Sequence, residues 1–178
     1  MDVLDHLVEE HSSVRAMLRT LASTEPGNVR EKTLEALEKS LAMHMAVEER
    51  FVYPIVQSKV GVEQSAGAAN EHELTRAGLD KMRELMAQPG FVAAVEMLQT
   101  GLEHHVEEEE HTIFPRLRQK AAREIEALGD VEDLKASLRS DALDEQTRDE
   151  LYRQAQEAGI EGRSSMTKAE LHKALAQR

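Results

Sequence analysis

The 178-residue chain contains no cysteine. That excludes a disulfide framework, thiolate zinc sites, iron–sulfur clusters and a cysteine nucleophile. Tryptophan is also absent, aromatic residues make up 3%, and there are nine glycines and four prolines. Runs of Val, Ile, Thr and aromatics that would signal strands are missing, while Leu, Ala, Met, Glu and Arg dominate and favour helix. No stretch approaches the roughly 18–20 apolar residues of a membrane span. The N-terminus MDVLDHLVEEHSSV carries acids and no apolar signal core, so the expectation is a cytoplasmic protein with no membrane partner. Positive charge is in deficit: the net charge of −12 argues against broad nucleic-acid affinity for the main body.

What the chain does have is an internal repeat. Shifted by 61 positions, His11 falls on His72, His44 on His105, Glu48 on Glu109 and Pro54 on Pro115. HMAVEERFVYP (44–54) lies over HVEEEEHTIFP (105–115). Each half offers one His and, 33 residues later, a His-x-x-x-Glu that leads to a Pro.

Apolar residues stepping by three and four place the helices. The first stripe is Leu4, Leu7, His11, Val14, Leu18 and Leu21, ended by the turn residues EPGN (25–28). The second is Leu34, Leu37, Leu41, His44, Glu48, Phe51 and Ile55. The third is Ala68, His72, Thr75, Leu79, Met82 and Met86, closed by QPG (88–90). The fourth is Val95, Leu98, Leu102, His105, Glu109 and then Thr112 or Ile113. Pro54 and Pro115 are expected to kink or end their helices, because proline lacks a backbone donor and clashes one turn back. Four amphipathic helices with short connections predict an all-α fold, an antiparallel up-down four-helix bundle, with a small C-terminal helical unit. The expected division is 1–128 for the bundle, 129–146 for a linker and 147–178 for a two-helix motif. Capping boxes at Thr147/Glu150 and Thr167/Glu170 open the helices of that motif. From 147 onward six Lys/Arg face five Asp/Glu, a net of +1 that leaves −13 on the preceding residues.

His11, His44, Glu48, His72, His105 and Glu109 each stand where the stripe calls for Leu or Ile, so each is expected to face the interior. A buried ionised carboxylate costs several kcal/mol unless it is paired or binds metal. Two cations remove that cost, and imidazole with carboxylate suits iron, with manganese or zinc as alternatives. One ion would take the two histidines of one half and the second ion those of the other half, with Glu48 and Glu109 bridging and an oxygen bridge completing five ligands. An open position would remain for dioxygen, nitric oxide or peroxide. The competing pair His104/Glu108 leaves the stripe, and His104, Glu108 and Glu110 are assigned to the solvated face. His6 and His172 are expected at the surface. Tyr53 lies near the ends of the ligand helices and is expected to pack at the rim, with contact with the ligands from behind as the alternative. Glu108-x-x-His111 lacks the second such pair that a ferritin-like site needs.

These segments, with EEHSSVRAML (9–18) and NEHELTR (70–76), resemble the hemerythrin-like, HHE cation-binding family over about residues 1–120. The resemblance implies an up-down four-helix bundle holding two iron ions, oxo- or hydroxo-bridged. His11, His44, His72 and His105 would be terminal ligands, and Glu48 and Glu109 would bridge. Oxygen carriers of the family have a fifth histidine where this chain has Arg76. The departure implies binding of a diatomic ligand or peroxide for sensing or oxidative and nitrosative stress defence, in place of simple oxygen carriage. A peroxidase- or catalase-like oxidoreductase is the alternative. Residues 149–176 resemble the Rho termination factor N-terminal motif. That implies protein contact or weak nucleic-acid contact through Arg163, Lys168 and Lys173, with Tyr152 as the one stacking aromatic, and makes a nucleic-acid-associated regulator a third reading.

Overall fold

The computed structural model of the chain describes residues 1–144 and 146–177. Glu145 and Arg178, which the expected linker and C-terminal motif include, lie outside the described residues. Among the described residues there are helices and no strand. The chain divides into two compact units, Met1–Val131 and Glu132–Arg178.

The first unit is built on α1 (Val3–Ser23), α2 (Asn28–Val47), α4 (Val62–Glu84) and α5 (Phe91–Glu108). Helix α1 packs on α2 and α5, and α4 packs on α5 and α2. Asp2 and Asp5 form a reciprocal capping box at the start of α1, so two of its orphan backbone donors are satisfied locally. The stripes meet in a core that includes Leu18, Leu34, Leu37, Leu41, Met82, Phe91 and Val95, all buried. Helices α4 and α5 come especially close at Gly78, where a β-carbon would lie 2.9 Å from Leu98 Cδ1. The two helix-to-helix turns are tied together by one buried cation. Arg30 donates from Nε to Thr24 O at 2.9 Å and from Nη1 to Met86 O at 2.9 Å. Its guanidinium also sits 4.2 Å from the centroid of Phe91.

The prolines do not end their helices. Each is preceded by a single π-helical turn, Glu48–Val52 after α2 and Glu109–Ile113 after α5. The helix then resumes as α3 (Tyr53–Lys59) and α6 (Phe114–Lys120). Tyr53 N–H reaches back to Glu48 O, and Phe114 N–H to Glu109 O. The π turn widens the helix just ahead of the proline and relieves the clash its ring would make one α-turn back. Its second consequence is a phase shift of the apolar stripe by about one residue. Phe51 and Ile55, expected inside, are half-buried, whereas Val52, Tyr53 and Val56 are buried. In the second half Ile113, Phe114 and Leu117 take the interior and Thr112 does not. Helix α7 (Ala122–Ala127) follows and rests on α1.

The 129–146 stretch is largely helix, α8 (Val131–Asp144), all but the first residue of which lies in the second unit. Leu143 from α8 joins Leu151 and Ala155 of α9 (Arg148–Glu157) and Leu171 of α10 (Lys168–Ala176) in a small core. Both expected capping boxes are present, on Thr147/Glu150 and on Thr167/Glu170. His172, expected at the surface, is half-buried, and its Nε2 lies 3.1 Å from Ser140 O.

Candidate metal centre

The π turns and the four long helices bring all six predicted residues to one point inside the first unit. His11 comes from α1, His44 from α2, His72 from α4 and His105 from α5, while Glu48 and Glu109 open the two π turns. All six are buried, and both carboxylates are fully so. Two overlapping groups of ligand atoms result: His11, His44, Glu48 and Glu109, and Glu48, His72 and His105, within each of which the atoms lie within 4.8 Å of one another.

The geometry joins the two halves. Glu48 directs Oε1 to His44 Nε2 and Oε2 to His72 Nε2, each at 3.2 Å. Glu109 Oε2 lies 3.5 Å from His11 Nε2 and 3.4 Å from His105 Nε2. Each carboxylate therefore reaches one histidine of its own half and one of the other. The Nε2 atoms of His11 and His44 face each other at 3.1 Å. Both oxygens of Glu48, Glu109 Oε2 and His105 Nε2 are buried without a hydrogen-bond partner. They are close to one another but not aligned for hydrogen bonding. Converging acceptors left unsatisfied in a dry interior are costly, and a cation placed among them would satisfy them together. The donor set of imidazole and carboxylate therefore fits a metal.

Each histidine is aimed inward by an acid behind it. His11 Nδ1 meets Glu110 Oε1 at 2.9 Å, His44 Nδ1 meets Glu10 Oε2 at 3.0 Å, His72 Nδ1 meets Glu49 Oε1 at 2.8 Å, and His105 Nδ1 meets Glu71 Oε2 at 2.9 Å. An Nδ1 proton held outward fixes the ring orientation and turns Nε2 toward the centre. Two arginines extend the chain: Arg76 Nη2 donates to Glu49 at 2.7 Å, and Arg15 Nη1 lies 3.6 Å from Glu110. This layer was missed in the sequence, and Glu110 had been assigned to solvent. Its signal was the same repeat: shifted by 61, Glu10 falls on Glu71, Glu49 on Glu110 and Arg15 on Arg76.

Tyr53 is a further correction. It is buried, not packed at a rim, and its hydroxyl donates to Glu109 Oε1 at 3.0 Å while lying 3.0 Å from His72 Nε2. Burial, then the charges of Glu48 and Glu109, push the phenol far above its usual range, so it holds its proton. The repeat places Phe114 at the equivalent position, stacked on His11, so the two halves of the site are chemically unequal. His111 is exposed with Nδ1 near Glu107 O, and His6 is half-buried 3.5 Å from Glu10. His104, expected on the solvated face, is exposed there.

A cavity of about 20 Å³ borders the four histidines. Val14, Leu18, Leu41, Met45, Leu102 and Val106 wall it, and Arg15, Gln99 and Glu103 stand at its edge. That is space for about one molecule of water size.

Without metal, burial alone would lower the pKa of His44, but Glu48 and Glu10 outweigh it and push it up to about 10. Burial likewise opposes, and Glu71, Glu109 and Glu48 overcome, a rise of His105 to about 9. Burial would raise Glu48, yet His44 and His72 hold its carboxyl well below the usual range. Both imidazoles are thus protonated at neutral pH, and a cation must displace those protons because only neutral imidazole ligates. Saturating the metal-free chain with a divalent cation at about pH 7.5 should release about two protons, and affinity should fall as pH falls. Heats of binding compared across buffers of different ionisation enthalpy measure the count. Binding without proton release would contradict the charge state described.

No helix among the described residues is long and apolar enough to cross a membrane. A hemerythrin-like protein of Schizosaccharomyces pombe is 25% identical over 126 residues, which cover 68% of this chain and 62% of that relative. The chain thus spans less than two thirds of the relative's length. No solved structure matches the chain. The hemerythrin HHE cation binding domain matches residues 2–117, the segment that carries all six converging histidines and glutamates and the acids behind them, and the chain belongs to that family.

Proposed function

We propose that the first unit is an antiparallel up-down four-helix bundle that holds two iron ions and binds a small ligand, dioxygen, nitric oxide or peroxide, in sensing or stress defence. The observation that carries this reading is the pair of buried carboxylates, each reaching histidines of both halves with oxygens left unsatisfied. His11 and His44 would hold one ion, His72 and His105 the other, with Glu48 and Glu109 between them. Bound iron supplies an open coordination position and reversible redox change. The chain's own residues do the rest. Glu10, Glu49, Glu71 and Glu110 orient the imidazoles, and the apolar walls of the cavity exclude water and limit what enters by size.

A peroxidase- or catalase-like activity is the second reading, favoured by one observation. Tyr53 keeps a neutral hydroxyl inside the site, where it touches both Glu109 and His72. Residues 147–178 are proposed as a separate contact module for protein or nucleic acid. A mobility shift at low salt that disappears on deleting 147–178 is expected for the nucleic-acid case, and no shift at any salt would rule it out.

The test of the main reading is optical. Iron-loaded protein should absorb in the near ultraviolet, and the bands should change on adding nitric oxide or peroxide. Val14→Leu, which adds a methylene to the cavity wall, should keep the iron and weaken the ligand response by roughly tenfold. An unresponsive spectrum would contradict ligand binding. Sustained oxygen evolution from peroxide, lost in Tyr53→Phe, would assign the enzyme.

A further inference from the structure

We propose a second cation site on the surface of the first unit, formed by Glu71, His104 and Glu108. It would take a divalent ion of the zinc type and act on the central site through Glu71. His104 and Glu108 lie one turn apart on α5, and Glu71 faces them from α4. One ligand atom of each lies within 4.8 Å of the others. One imidazole and two carboxylates, with water in the fourth position, is an ordinary donor set for zinc.

Glu71 is already shared between the two places. Its Oε1 meets His104 Nδ1 at 2.8 Å, and its Oε2 meets His105 Nδ1 at 2.9 Å. A cation that replaced the His104 contact on Oε1 would leave Oε2 on His105. It would also draw negative charge from Glu71 and weaken the hold of that carboxylate on the His105 proton, the route by which outer partners tune a metal ligand.

The repeat shows that the central site does not require these residues. It preserves Glu10 for Glu71, but Met43 stands for His104 and Val47 for Glu108. The first half therefore builds a complete half-site without them. His104 has 74% of its side chain exposed, so packing does not demand it either. Two residues of ligand type at ligand spacing thus appear in one half only, against the one outer carboxylate that touches an exposed histidine at hydrogen-bond distance.

The surface site stands on its own residues, whereas its effect on the centre rests on the two-iron reading. Equilibrium dialysis of the full chain against zinc, with elemental analysis, tests the first part. His104→Ala and Glu108→Gln should each retain about one zinc fewer than the wild type. Glu107→Gln, the same charge change one residue away, should retain the wild-type number. All three variants alter exposed or half-exposed side chains, and circular dichroism checks that each is folded. Equal zinc content in all four proteins overturns the site. Failure of the central reading would lower the count in all four together and leave the difference intact. In iron-loaded protein, added zinc should shift the near-ultraviolet bands of the wild type and not those of His104→Ala. Zinc bound by the wild type with no such shift overturns the coupling.

Discussion

Two carboxylates with no exposed surface face one another across the interior of the first unit, and the rest of the structure answers to that fact. Unpaired, each would cost several kcal/mol in an apolar core. Glu48 and Glu109 are each met by the Nε2 atoms of two histidines, one from each half of the repeat. Those histidines would themselves be misoriented without Glu10, Glu49, Glu71 and Glu110 behind them. The arrangement is layered: acids at the boundary, imidazoles inside them, and two carboxylates at the centre. Removing any layer strands the polar groups of the next in a low-dielectric setting, so the layers are coupled in stability.

The backbone makes this possible through the two π turns. A plain α-helix running from His44 to Ile55 would keep Phe51 and Ile55 on the inner stripe. The extra residue per turn instead rotates Val52, Tyr53 and Val56 inward. Glu48 and Glu49 sit at the start of that turn and serve opposite purposes, one reaching the centre and the other holding His72 from outside. Glu109 and Glu110 repeat the device. The prolines, which would clash inside a plain α-helix, are thus associated with the local widening that places adjacent acids on different layers.

The inner six residues were legible because each interrupts an apolar stripe with a polar side chain, and does so twice in register. The outer acids were harder to read. Glu10, Glu71 and Glu110 are half-buried and Glu49 is more exposed still, so by periodicity alone they look like a solvated face. Only the repeat distinguishes them: Glu10 and Glu71 each hold a histidine of their own hairpin, while Glu49 and Glu110 cross between hairpins. The burial of Tyr53 was hidden for another reason: it depends on the phase shift at the π turn, which no stepping rule contains. Residues 129–146 read as a linker, and the helix they contain, Val131–Asp144, sends Leu143 into the small core of the second unit. Tyr53 against Phe114, and His104 with Glu108 against Met43 with Val47, are where the halves part company and where differentiated chemistry is to be sought.

The claim at the centre is that this layered cluster exists to hold a pair of cations. Elemental analysis of the purified chain, expressed with ample iron, addresses it most directly. The account predicts about two iron atoms per chain, with both lost together when Glu48 or Glu109 is replaced by alanine. A folded protein that carries no iron, or that keeps its full iron content in both alanine variants, would contradict it.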